Sequence, residues 1–259
     1  MKRIVLILVA LVAATNAFSW GKLGHDAIVY IAEQNLTPKA KREVAKIFND
    51  TSMVYFSVWM DEYRATPTYK HTTTWHSFNV NKDNELIYNA VPKGRESYRG
   101  DAVYELNKIL DKMKDYKHMD DSTASVNLKM IIHMVADIHC PTHVLYEGLK
   151  GYKVTHMGKY VSYHSVFDSG VLASTHEWNF SEYNHVLGTL SKKQAKEISK
   201  GTIDDWARET ADRSQVIYTW AQPDDQIGKN FNLQARPLVH SQVQKAAYRL
   251  AKTLNELFK

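Results

Sequence analysis

His133 and Asp137 stand four residues apart in a run, Val126 to Ile138, that is otherwise almost wholly apolar. That spacing puts both side chains on one face of a helix, within reach of a common metal ion. Taken alone, the pair also fits a hydrogen-bonded core His–Asp contact, because burying such groups without partners costs several kcal/mol. His143 follows just beyond Pro141, and His164 and Asp168 repeat the four-residue spacing. Asp61 in WMDEYR, His76 in WHSFN and His25 add further imidazole and carboxylate. Twelve histidines in one chain are unusual, and imidazole is the commonest metal ligand at neutral pH. The chemistry these types and spacings offer is metal ligation.

The elements that must position these groups are mostly helical. Val126, Leu128, Met130, Ile131, Ile132, Met134, Val135 and Ile138 cover nearly every face of their segment, which predicts a central, buried helix. Thr37 and Pro38 read as an N-cap followed by proline at the first helical position, opening a helix through Phe48. Val103, Leu106, Leu110 and Met113 recur at helical steps, as do Val243, Ala246, Ala247, Leu250 and Leu254; both patterns predict amphipathic helices. Strand signals are weak, with a short hairpin around Gly158 expected between Gly151 and Tyr163. No repeat, sustained heptad or membrane-length apolar run is found. The expected fold class is all-α: a single compact multi-helix domain with at most a short β-hairpin.

The 259 residues are 44% hydrophobic, ample for a sizeable core, and contain only 11 Gly and 6 Pro. A formal charge of +5 is too small for a duplex-DNA binder held by a broad phosphate-facing surface. Cys140 is the single cysteine, so no internal disulfide forms and stability rests on packing or metal. Residues 1–19 read as a signal peptide: Lys2 and Arg3 form a basic start, Ile4 to Ala14 an apolar stretch, and Ala17, Phe18 and Ser19 the small-residue end. Eleven apolar residues are too few to span a bilayer. Cleavage after Ser19 leaves Trp20 first in a mature chain of 240 residues, with a formal charge of +3 because Lys2 and Arg3 depart and no acid does. The protein is therefore expected to be exported, periplasmic or secreted, with no stable membrane insertion after cleavage. A free α-amino group and its own carbonyl oxygen chelate a metal through a five-membered ring, which would give Trp20 a ligand's role.

Several motifs in order carry a family resemblance: Trp20-Gly21 with Gly24-His25, WMDEYR from Trp59 to Arg64, Trp75-His76, DIHCPTH from Asp137 to His143, HSVFDSG from His164 to Gly170, and AAYRLAKTLN from Ala246 to Asn255. Together they resemble the S1/P1 family of zinc-dependent nucleases, relatives of bacterial zinc phospholipases C, over nearly the whole mature chain, residues 20–259. The resemblance implies three Zn²⁺ ions. One takes Asp61, His76, His133 and Asp137. A second takes the terminal amine and carbonyl of Trp20 with His25 and Asp137, which bridges the pair, and the third takes His143, His164 and Asp168. Three such ions against three carboxylates would leave the pocket near +3, enough to draw phosphodiesters to a nearly neutral surface.

The resemblance also implies a chemistry. Water between the paired zincs becomes a hydroxide nucleophile, Asp61 orients it or accepts its proton, and Arg64 stabilises the pentacoordinate transition state. Single-stranded RNA and DNA are the implied substrates, cut to 5′-phosphates, with 3′-nucleotidase activity and a monomeric enzyme. The chain also departs from the family pattern. HCPTH stands where many relatives have HQPLH, placing Cys140 and Thr142 beside a ligand, where packing is the expected role although a thiol near zinc can compete for it. Ser77 replaces a frequent base-stacking aromatic, with Phe78 next, and EGLKGYK replaces the usual Gly-Gly-Asn. The lack of disulfides suits a bacterial-type member. Two other readings keep most of the zinc ligands: a phospholipase C, which characteristically has Glu where this chain has Asp168, and a non-catalytic zinc-binding exported protein, which has no use for Arg64.

Overall fold

The structure, a computed structural model, describes residues 20–88, 100–174 and 179–259; the signal peptide expected at residues 1–19 lies outside them. Helices dominate. In chain order they are α1 (Lys22–Gln34), α2 (Pro38–Ile47), α3 (Trp59–Tyr63), α4 (Ala102–Met113), α5 (Asp121–Asp137), α6 (Tyr163–Ser165), α7 (Val171–Ala173), α8 (Tyr183–Leu187), α9 (Lys192–Ile198), α10 (Ile203–Ser214) and α11 (Lys229–Leu257). The strands are β1 (Phe78–Val80), β2 (Leu86–Ile87), β3 (Val144–Tyr146), β4 (Lys153–His156), β5 (Lys159–Ser162) and β6 (Gln226–Ile227).

The expected central helix is α5. It starts five residues before Val126, because the Asp120 side chain caps it by accepting from the Thr123 amide at 2.8 Å, and its polar first turn is exposed. From Met130 to Asp137 every residue is buried. Thr37 caps α2 as expected, accepting from the Ala40 amide. The C-terminal helix α11 packs along α1 and α5 and is longer than its apolar pattern suggested, running through Pro237. It is locked to the turn after α5 by a buried network. His139 donates from Nδ1 to the Val135 carbonyl at 2.7 Å, and its Nε2 accepts from Arg249 at 3.0 Å. Arg249 and Lys245 both donate to Glu209 of α10. Burial alone would raise the Glu209 carboxyl, but these cations hold it at about 2.

The hairpin is present as β4 and β5, turning at Met157 and Gly158, both at positive φ (50° and 79°), the pairing a two-residue type I′ turn requires. Strand content exceeds that hairpin. β6 extends it to a three-stranded sheet in the order β5-β4-β6, and a second sheet has the order β2-β1-β3. These added strands span only two or three residues, too short to show period-two alternation in sequence. Their effect on the site is direct. Phe78 pairs with Val144 in the parallel β1–β3 ladder, so the segment ending at His76 runs beside the one ending at His143.

Candidate metal centre and active site

Asp137 closes the last turn of α5, one turn beyond His133, and its two carboxylate oxygens divide the surrounding imidazoles. Oδ2 lies 3.1 Å from His76 Nδ1 and 3.2 Å from His133 Nε2; Oδ1 lies 3.3 Å from His25 Nε2 and 3.6 Å from His143 Nδ1. Asp61, on the short helix α3, approaches from the other side, 3.7 Å from His133 Nε2 and 3.6 Å from His76 Nδ1. The carbonyl of Ser57 accepts from His133 Nδ1 at 2.8 Å, which leaves Nε2 as the lone-pair nitrogen aimed at both carboxylates. Arg64 follows one turn after Asp61, with Nη1 3.6 Å from Oδ1.

A third cluster lies beside the first two. His143 Nε2 is 3.7 Å from Asp168 Oδ1, and His164 Nε2 is 3.9 Å from Asp168 Oδ2. The His143 and His164 rings stack, with centroids 4.8 Å apart. Asp168 sits on a π-helical turn, Val166–Gly170, directly after α6; such wide turns recur at functional sites. Against that turn packs the segment that opens α1. The Gly21 amide donates to the Asp168 carbonyl at 2.7 Å, and a Cβ on Gly21 would fall 2.2 Å from Ser169 Oγ, so only glycine fits. Trp20 is fully buried, its indole donating to the Ala136 carbonyl at 2.9 Å beside Asp137. The indole thus anchors the segment before α1 beside the cluster.

Burial pushes the Asp61 and Asp168 carboxyls up to about 7 and Asp137 well above the usual carboxylate range. Desolvation moves the imidazoles the other way: His76, His133 and His143 fall below their ordinary value and His164 drops to about 4. Neutral forms are favoured throughout, yet buried polar atoms go without hydrogen bonds: both Asp61 oxygens, His76 Nε2, both His143 nitrogens and Asp168 Oδ2. Such atoms cost free energy unless something fills their lone pairs. Cations would meet that need, with neutral imidazole and carboxylate as nitrogen and oxygen donors. Three groups have ligand atoms mutually within 4.8 Å, a spacing that could hold a metal: His25, Asp61 and His133; His76, His133 and Asp137; and Cys140, His143 and Asp168.

Residues 20–259, the stretch that carries this cluster, match the sequence model of the S1/P1 nucleases. The chain belongs to the S1/P1 nuclease family. Similar proteins include Endonuclease 2 of Arabidopsis thaliana, 24% identical over 96% of this chain and 93% of that protein. Nuclease P1 of Penicillium citrinum is 23% identical over 92% and 97%. Nuclease S1 of Aspergillus oryzae is 26% identical over 66% of this chain and 61% of its own length. Membership makes this S1/P1 nuclease a hydrolase acting on nucleic acid, and its mostly α-helical single domain agrees with the family fold.

The structure brings together His25, Asp61, His76, His133, Asp137, His143, His164 and Asp168, with Arg64 at the edge and Trp20 seated against α5. Phe78 cannot stand in for the stacking aromatic that Ser77 lacks, because it is fully buried in β1. Tyr152 is available. It lines a cavity of about 330 Å³ with Leu145, Leu149, Lys153 and Tyr218, opening beside His164. The Ser57 carbonyl and the His139–Arg249 contact escaped the sequence reading, since a backbone acceptor leaves no residue-type signal. Arg249 lay in a recognised helix with nothing to mark its partner. Cys140, read as packing, has its thiol 4.0 Å from Asp168 Oδ1.

Proposed function

We propose that this S1/P1 nuclease binds three Zn²⁺ ions and hydrolyses single-stranded RNA and DNA to 5′-phosphates, with 3′-nucleotidase activity, as an exported monomer. One observation carries the reading: both oxygens of Asp137 are shared among four imidazoles, with Asp61 and Arg64 on the open side. Asp61, His76, His133 and Asp137 hold the first ion. Trp20, His25 and Asp137 hold the second, and His143, His164 and Asp168 the third. Bound zinc supplies Lewis acidity, lowering the pKa of water and neutralising phosphate charge.

The chain's own residues do the rest. Asp61 accepts or orients the proton of the attacking water. Arg64, held toward Asp61, donates to the phosphoryl oxygens as charge builds on them. Ser57 fixes the tautomer of His133, and Trp20 fixes the chain start. The His164 side chain, 36% exposed, borders the cavity that Tyr152 lines, leaving that edge of the third cluster accessible to a splayed nucleotide, which a paired strand would not present. Among the described residues no helix is long and apolar enough to cross a membrane.

The test is metal analysis of the purified mature protein together with hydrolysis of RNA, single-stranded DNA, 3′-AMP and a phospholipid. Three zincs with activity on the first three substrates support the reading. Zinc-loaded protein active only on the lipid would move it to the phospholipases, and zinc-loaded protein inert on all four would make it a non-catalytic binder.

A further inference from the structure

Cys140 and His143 stand three residues apart in one tight 3₁₀ turn, Pro141–His143 with Cys140 at its start, closed by the His143 amide on the Cys140 carbonyl at 3.0 Å. Cys140 itself is extended at the start of the turn, and its thiol, the His143 imidazole and the Asp168 carboxylate offer ligand atoms mutually within 4.8 Å. The thiol lies 4.0 Å from Asp168 Oδ1 and His143 Nε2 lies 3.7 Å from it. Two donors bound to one tetrahedral zinc at about 2.3 Å for sulfur and about 2.0 Å for oxygen sit roughly 3.5 Å apart, close to the spacing found. A second observation points into the same space: His143 Nε2, in a residue only 1% exposed, is buried and without a hydrogen bond; the Asp168 oxygen that lacks one, Oδ2, is the one facing His164. His164, by contrast, is 36% exposed in its side chain and faces the other Asp168 oxygen, Oδ2, at 3.9 Å.

The geometry points to Cys140 as a sulfur ligand of the third metal, forming with His143 and Asp168 a buried inner triad that His164 flanks at the mouth. This rests on the trinuclear reading above and adds to it a donor the family pattern does not contain, since many relatives carry glutamine at this position. On binding, the thiol proton leaves to solvent and a sulfur–metal bond forms. The thiolate adds one negative charge and a soft donor, which biases the third position toward zinc and cadmium and against magnesium, calcium and manganese.

Because the chain has a single cysteine, a thiolate signal has only one source. Mature protein stripped by chelator and reloaded with Co²⁺ is expected to develop a near-ultraviolet sulfur-to-cobalt charge-transfer band, which Cys140→Ala lacks while retaining the visible bands of the other positions. Zinc titration of Cys140→Ala should show one site weakened tenfold or more. Full cobalt loading with RNA cleavage but no charge-transfer band in the unsubstituted protein would overturn the assignment of Cys140 alone. Failure to take up cobalt or zinc would overturn both this assignment and the trinuclear reading. If Cys140→Ala does not fold, the spectrum of the unsubstituted protein decides by itself.

Discussion

The rings of His25 and His133 lie face to face, centroids 4.1 Å apart and planes 9° from parallel, although both residues are fully buried. Two imidazolium ions would repel at that separation with no water to screen them. The stack therefore does not hold two charged rings, and burial favours the neutral form of His133; the rings come from α1 and α5, with their nitrogens on the carboxylate side. An apo protein built this way keeps protons on its carboxyls, and metal displaces them.

That exchange sets a pH dependence. Asp61 and Asp168, raised by burial to about 7 when folded, bind more protons folded than unfolded, so they favour the metal-free fold at low pH and lose that contribution as pH rises toward 7. The buried histidines, lowered when folded, act oppositely below their unfolded value of about 6.5. Above about 6.5 only the carboxyls remain active. Melting of chelated protein should fall by several degrees between pH 6.5 and 8, while zinc-loaded protein is flat or rises across the same range. A chelated sample that gains stability over that interval would contradict the burial argument.

Arg64→Ala should cut kcat by about 10²- to 10³-fold, the usual cost of one transition-state donor, with zinc content unchanged. Asp61→Asn should also depress kcat far more than it raises KM, with some zinc loss if Asp61 is a ligand as proposed. Kinetics on 3′-AMP with metal analysis of each variant separates the two roles. Unaltered turnover in Arg64→Ala would reduce its contact with Asp61 to an ordinary ion pair.

The terminus gives a third expectation. Trp20 is packed against α5 and Gly21 against Ser169, so there is little room to shift the chain start. On the proposal that Trp20 is the mature terminus and a ligand, a form retaining Met before it would carry an amide in place of that amine, and an amide binds zinc poorly at neutral pH. That form should fold, lose one zinc and be inactive, as should the uncleaved precursor. Mass spectrometry under native conditions counts the ions. Three zincs and full activity in the extended form would remove Trp20 from the ligand set.

Base recognition should be weak, because Ser77 offers no ring and Phe78 is buried. Ser77→Tyr restores a surface worth about 1–3 kcal/mol per stacked base and should lower KM for 3′-nucleotides by roughly tenfold. Tyr152→Ala should raise KM if that ring, stacked on Tyr163 at 4.8 Å, now carries the base. KM values for the four 3′-nucleotides test both, and no change in either variant would place the base elsewhere.

How much of this was legible differs by element. α5 announced itself because apolar residues on every face leave a helix nowhere but the core, and the polar interruptions then had to be ligands or partners. The hairpin was visible through Gly158. The sheet β2-β1-β3 was not, since three residues carry no period. Nor was the π-helical turn: His164 and Asp168 share a face in either helix type, so their spacing could not reveal the wider coil. The ligand candidates were readable from types and order, but the proximity of Cys140 to Asp168 depends on the chain folding back across 28 residues.

The parallel pairing of β1 with β3 has a consequence for the order of folding. Phe78 meets Val144 only after the intervening chain, with α4 and α5, has been looped out. Long-range parallel contacts of this kind are entropically costly and form late. The strands that follow His76 and His143 therefore pair only against that entropy cost. A chain in which that ladder has not closed lacks the pairing that sets His76 beside His143, so a site that uses both is incomplete until it does.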